Sequence, residues 1–94
     1  MTDAAQELRA AAAKIRDLAT RTNITLERHE LQWTDLTAWA GPGTVSPMVW
    51  SQHAAVMSPA MGLALAAWLD SAAEDAEQIG PDPHALAVAR ALTP

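Results

Sequence analysis

The sequence predicts an α+β fold that is mostly helical and forms a single domain over residues 1–94. The predicted order is an N-terminal helix, a small antiparallel β hairpin or meander, and then three helices that are short, long and short. Two observations lead to this prediction. Between capping residues, apolar side chains recur at three- and four-residue intervals, as they do on one face of a helix, whereas residues 24–39 alternate with the period of a strand.

The longest predicted helix, residues 59–79, organises the chain. Ser58 can cap its first turn, Pro59 suits the first helical position, and Gly80 followed by Pro81 can end it. Its larger apolar side chains form one stripe that we expect to face the core. The stripe consists of Met61, Leu65, Trp68, Leu69, Ala72, Ala76 and Ile79.

The first helix is predicted over residues 3–22. Asp3 and Gln6 have the spacing of a capping box, and an apolar stripe follows them. Asn23 suits the left-handed position that ends a helix. We therefore expect the chain to leave the helix there.

A capping residue followed by proline opens two further predicted helices. Ser46 precedes a short helix over residues 47–57, and Asp82 precedes a C-terminal helix over residues 83–92. The short helix stops where the long one begins, so the two are expected to meet at a corner.

The segment 24–39 is the predicted β region. Ile24 and Leu26 fall on one parity, and Leu31 and Trp33 fall on the other, which fits two strands joined by a tight change of direction. A short helix would also fit, because Leu26 and Trp33 lie seven residues apart. The β-branched and aromatic content favours strands.

Composition limits the chemistry and the partners of this chain. It contains no Cys, so disulfides and thiolate metal sites are excluded. It contains 22 Ala, and the thin core that alanine provides could be completed across a subunit interface. No run of residues has the length and apolarity of a membrane span, and we expect a cytoplasmic protein. The net charge of −5 makes direct nucleic-acid binding an unfavourable hypothesis.

No residue pattern predicts catalysis, a metal site or a cofactor site. His29, His53 and His84 are far apart in sequence and form no His-x-x-x-His pair, and no nucleophile motif or phosphate loop is present. We therefore expect a protein that is not an enzyme and that holds no cofactor.

Three stretches carry a resemblance to known proteins: AAQELRAAAAKIRDLAT, HAAVMSPAMGLALAAWLDSAAEDAE and DPHALAVARAL. Together they resemble a family of small uncharacterised proteins from actinobacteria and their phages, and more remotely the early-region accessory proteins of lambdoid phages. The family's Pro-Gly-Pro-Trp turn after the first helix is replaced here by residues 23–26. The resemblance implies an accessory role in a mobile-element context, with the helices as scaffold and the variable middle as the binding region.

Two groups of residues are candidate binding surfaces. The first group is apolar, lies in or beside the variable middle, and contains residue types that interfaces favour: Trp33, Leu36, Trp39, Val45 and Met48. Packing of the tryptophans in the core is an equally good interpretation. The second group is the acidic stretch of the long helix, formed by Asp70, Glu74, Asp75 and Glu77, which could instead be a solvated face attracted to the basic first helix.

Three functional hypotheses follow. The first is a non-enzymatic interaction module that binds a protein partner, a second copy of itself, or both. The second is an acidic inhibitor, resembling DNA, of a nucleic-acid enzyme or a host defence factor, and it would act through the acidic group. The third is a small hydrolase, which would need the histidines and carboxylates to meet in one pocket. The first hypothesis agrees best with the sequence.

Overall fold

The computed structural model describes residues 3–36 and 56–93, and these residues are α-helical with short connections. Helix α1 spans Ala4–Arg28, α2 is a single turn at Trp33–Leu36, α3 spans Pro59–Ile79 and α4 spans Pro83–Leu92. None of the described residues belongs to a strand, so the α+β prediction was wrong and this part of the chain is all-α.

The helices begin at the residues that the capping patterns predicted. A side-chain oxygen of Asp3 accepts a hydrogen bond from the backbone N–H of Ala5 at 3.2 Å, and Asp82 does the same for His84 at 2.8 Å. Ser58 Oγ accepts from the N–H of Met61 at 3.2 Å. These bonds satisfy amide groups that have no partner inside the helix. Helices α3 and α4 occupy their predicted ranges, while residues 47–55 of the predicted short helix lie outside the described residues.

Helix α1 continues through the first part of the predicted β region, and α2 forms within the second part. Because strand propensities differ by only about 1 kcal/mol, they are easily overridden by continuous helical hydrogen bonding and by burial of Leu26, which is 8% exposed. The threonine hydroxyls are also accommodated, since Thr22 donates to the Leu18 carbonyl at 2.8 Å and Thr25 to the Arg21 carbonyl at 2.9 Å. Trp39, at the end of the predicted region, lies outside the described residues.

Helix α1 ends in a Schellman motif, six residues beyond the predicted end. Asn23 is helical, and the residue with a left-handed backbone is Glu30, at φ 54°. The N–H of Glu30 donates to the Glu27 carbonyl at 3.2 Å, and the N–H of Leu31 donates to the Leu26 carbonyl at 2.8 Å. These two bonds are the pair that defines the motif, in which glycine normally occupies the left-handed position.

Helices α1 and α3 pack antiparallel, with α4 against one flank of the pair. Ion pairs join Arg9 to Glu77 at 2.6 Å and Arg16 to Asp70 along the opposite flank. On the α4 side, Arg90 pairs with Glu7 at 3.1 Å, and Lys14 Nζ donates to the carbonyl of Leu92 at 2.6 Å. Because α4 has 10 residues and α1 has 25, α4 covers only the N-terminal half of α1.

The core of the described residues is built largely from alanine. Its only large side chains that are fully buried are Leu8 and Leu69; the others in the cluster are Ala5, Ala11, Ala12, Ile15, Ala66, Ala72, Ala73, Ala85 and Ala89. Such a core gains enough contact only if the helix axes approach closely, because alanine has little surface to bury.

The row of α3 that faces α1 is Gly62, Ala66, Leu69 and Ala73, spaced by four, three and four residues. A Cβ atom added to Gly62 would lie 3.1 Å from the Cβ of Ala19, which shows how closely the backbones approach.

The predicted core stripe of this helix was wrong in part, since Met61, Trp68 and Ile79 are 45%, 43% and 84% exposed. Gly62, which follows Met61, and Leu69, which follows Trp68, face inward instead.

Replacing Gly62 by valine should push α3 away from α1. We expect Gly62→Val to lower the free energy of unfolding by about 1–3 kcal/mol, as overpacking of a tight contact usually does. Ala13→Val, at an exposed position of α1, is the matched control and should cost only about 0.5 kcal/mol through helix propensity. Urea unfolding followed by circular dichroism measures both. Equal losses for the two variants would contradict the close contact.

Replacing Glu30 by glycine should stabilise the end of α1. Glycine adopts the left-handed backbone without the cost that Glu30 bears, so we expect a gain of about 0.5–1 kcal/mol in the free energy of unfolding. Glu74→Gly, in the exposed interior of α3, should instead lose about 1 kcal/mol. The same unfolding experiment compares the two, and a loss in Glu30→Gly would show that Glu30 does not hold the left-handed position in solution.

Candidate protein-binding surface

Helix α3 has two halves of different character. Residues 59–69 contain no charged side chain, whereas residues 70–77 contain Asp70, Glu74, Asp75 and Glu77. Many residues of the first half, hereafter the uncharged half of α3, face solvent: Ala60, Met61, Leu63, Ala64, Ala67 and Trp68. A surface helix normally carries polar residues on its outer face, and a helix that is apolar all round is normally buried. The uncharged half therefore has the composition of a buried helix on an exposed surface.

The exposed side chains of the uncharged half form an ordered pattern. The small residues Ala60, Ala64 and Ala67 lie in a line along the outer face, as their spacing of four and three residues requires. Met61 and Trp68, seven residues apart, border this line on one edge, and Leu63 borders it on the other. Met61, Leu63 and Trp68 are 45%, 38% and 43% exposed.

A groove between α1 and α3 adjoins the edge that carries Met61. Its volume is about 180 Å³, and its described lining residues are Ile15, Leu18, Ala19, Thr22, Trp33, Met57, Ser58, Pro59 and Gly62. Leu18 and Met57 at this groove are 46% and 40% exposed. The Thr22 hydroxyl and Ser58 Oγ already take part in hydrogen bonds with the backbone. The groove is thus suited to an apolar side chain more than to a polar ligand.

The groove and α4 lie on the same flank of α1. Helix α4 covers the N-terminal part of this flank, and the groove lies beside its C-terminal part. Glu7 and Lys14 contact α4, and Leu18 and Thr22 follow them on the same side of α1 at helical spacing. Beyond the end of α4 at Leu92, this flank borders the groove instead of a third helix of the described residues.

The predicted partner-binding residues are only partly described. Trp33 is half-buried and lines the groove, so it does not stand out as an exposed anchor. Leu36 ends α2, and only its backbone is described, while Trp39, Val45 and Met48 lie outside the described residues. The binding role of all five residues stays a prediction.

The acidic candidates divide into two pairs. Asp70 and Glu77 form ion pairs with Arg16 and Arg9 of α1, whereas Glu74 and Asp75 are exposed and take part in no ion pair of the described residues. The hydrogen bond from Arg9 lowers the pKa of Glu77, and the same bond raises the pKa of Arg9. Two of the four acids therefore help to join α3 to α1.

The histidines that the structure describes do not form a site. His29 follows the last turn of α1, and His84 lies in the first turn of α4; both are exposed and they lie at opposite ends of the antiparallel pair. His53 lies outside the described residues. Over residues 3–36 and 56–93, no three His, Asp or Glu side chains are placed to hold a metal ion. Within these same stretches, no helix combines the length and apolarity needed to cross a bilayer.

Sequence reasoning placed Met61 and Trp68 in the core and gave no role to Leu63. A signal for all three was present in the sequence. Between Asp35 and Asp70 the chain contains no Asp, Glu, Lys or Arg, and the uncharged half of α3 is the C-terminal end of this run. When one half of a helix has no charge and the next half is strongly acidic, the two halves are expected to have different surroundings.

The Arg9–Glu77 pair should contribute to the pH dependence of stability. Because the pKa of Glu77 is lowered in the folded state, the contribution is present at neutral pH and is lost as the pH falls below about 4.3, the ordinary value for glutamate. We expect Glu77→Gln to show a smaller loss of thermal stability between pH 6 and pH 3 than the parent chain. Glu74→Gln, which removes an acid without an ion pair among the described residues, should leave that loss nearly unchanged. Identical profiles for Glu77→Gln and the parent would contradict the ion pair.

Comparison of the chain with protein-family models, with curated proteins and with solved structures found no match. The resemblance to small proteins of actinobacteria and their phages stays a prediction.

Proposed function

We propose that this protein is a non-enzymatic interaction module that binds another protein chain through the uncharged half of α3 and the adjoining groove. One observation carries the proposal: eleven consecutive helical residues lack any charge and yet expose three large apolar side chains. An accessory role in a mobile-element context belongs to the same proposal and depends on the resemblance alone, whereas the proposed cytoplasmic location depends on the sequence pattern.

The energetics indicate how much surface the partner must cover. Full burial of a large apolar side chain contributes about 1.5–3 kcal/mol. Burying the exposed fractions of Met61, Leu63 and Trp68 therefore contributes on the order of 3 kcal/mol in total, which is less than association costs. A partner must also cover the alanine line between these residues, and it gains further if it reaches Leu18 and Met57 at the groove.

The acidic half of α3 supports a second candidate function, inhibition of a nucleic-acid enzyme or defence factor. Glu74 and Asp75 are exposed and could face a basic site. Asp70 and Glu77 are held by arginines of the same chain, so a basic partner would have to compete for them. This arrangement leaves a small acidic surface, and the uncharged half is the better candidate.

A photo-crosslinking experiment in the producing cells tests both candidates. Benzoyl-phenylalanine placed at Ala67, in the uncharged half, should give adducts with one or a few defined proteins, which can include the chain itself. The same group at Glu74 is the matched control on the acidic half of the same helix. Adducts from Glu74 alone would favour the acidic function, and no adduct from Ala67 would refute the proposed surface.

A further inference from the structure

We propose that the partner of the uncharged half of α3 is a second copy of this chain, and that the two α3 helices pack antiparallel about a two-fold axis at Ala64. The inference depends on the proposed function, because it names the occupant of the same surface. Spacing, charge and the placement of the large side chains each support it.

The outer face of α3 is spaced like the face that already packs against a helix. The inner row, Gly62, Ala66, Leu69 and Ala73, contacts α1, and the outer row, Ala60, Ala64, Ala67 and Ser71, repeats the same intervals of four, three and four residues. Met61, Leu63 and Trp68 stand on both sides of the outer row and are about two-fifths exposed. A second helix can therefore approach α3 from outside, with large side chains at both margins of the contact.

The charge pattern allows a second copy to bind at this surface. Two chains of net charge −5 repel each other, and the uncharged half of α3 is a place where they can meet without opposing acids. Foreign partners are commonly selected by complementary charges, and this surface offers none. An uncharged surface selects its partner by shape, and a second copy meets this requirement where the surface is complementary to itself, as in a two-fold dimer.

Charge also favours the antiparallel direction. With the axis at Ala64, residues 59–69 of one helix lie opposite residues 69–59 of the other. The acids from Asp70 onward then lie beyond the start of the opposing helix, whose N-terminal end is the positive end of its dipole. A parallel pair would instead place Glu74 beside Glu74 and Asp75 beside Asp75.

The antiparallel pair is self-complementary for the large side chains. Met61 of one copy falls beside Trp68 of the other, and the symmetric contact repeats this pairing, so each thioether meets an aromatic ring. Leu63 falls beside Leu63 across the axis. Eleven residues on each side are fewer than the 20–30 of a standard interface. The association should therefore be weak, and the dimer should form only at high protein concentration.

Molar mass by light scattering over a range of concentrations is the first test. We expect the parent chain to approach twice the chain mass as concentration rises, at low and high salt alike. Ala64→Glu should remain a monomer with unchanged helical circular dichroism, because Ala64 is exposed. Ala13→Glu, the same change at an exposed position of α1, should dimerise like the parent.

Single cysteines test the geometry, since the chain has none of its own. In the antiparallel dimer, Ala64→Cys lies at the axis and should form an intermolecular disulfide rapidly, whereas Ser71→Cys lies far from its counterpart and should not. Equal crosslinking of both variants would show a parallel pair and overturn the proposed arrangement.

A parent chain that stays monomeric at every concentration, or a dimer that Ala64→Glu does not dissociate, would overturn self-association through this surface. The proposed function fails separately. Adducts of a foreign protein at Ala67 together with a monomeric chain would retain the binding surface and remove the second copy, and the absence of any adduct would remove both.

Discussion

The close approach of α1 and α3 at Gly62 and Ala19 is the constraint on which the rest of the described structure depends. A core in which only Leu8 and Leu69 are large and fully buried gains its cohesion from backbone proximity more than from side-chain volume. That proximity requires a residue without a side chain at Gly62, and Met61 and Trp68 lie outside the inner row. The exposed Met61 and Trp68 are thus a direct result of how the core is packed.

Helix boundaries that depend on local chemistry could be predicted from the sequence. The starts of α3 and α4 follow from a cap and a proline, which act within one turn and need no knowledge of the fold. The end of α1 could not be predicted in this way, because a glutamate holds the left-handed position there and Asn23, a better candidate by residue type, remains helical. The strand pattern after residue 23 failed because α1 continues through this stretch as a helix, and Leu26 is buried in that helical conformation.

Which face of α3 is buried was harder to predict than the presence of the helix itself. Two interleaved rows share the same spacing, and residue size indicated the wrong one, because large side chains usually mark the core. The row of Gly62, Ala66, Leu69 and Ala73 faces inward, and this depends on the identity of the neighbouring helix, which one sequence does not specify. Of the predicted binding residues, Trp33 does lie at the groove and Asp70 and Glu77 join the helices, but the uncharged half emerged only when exposure was combined with the charge pattern.

The ion pair between Glu7 and Arg90 has a consequence for the way the chain folds. It joins residues 83 positions apart, so the first turns of α1 and the last turns of α4 close nearly the whole sequence into one loop. Loop entropy rises only slowly with length, which makes this closure affordable once α1 and α3 have met. A nascent chain that still lacks α4 leaves that flank of α1 uncovered, and the final helix then covers the N-terminal half of α1. Folding of the described helices should therefore be cooperative, since the N-terminal half of α1 is covered on this flank only after α4 has docked.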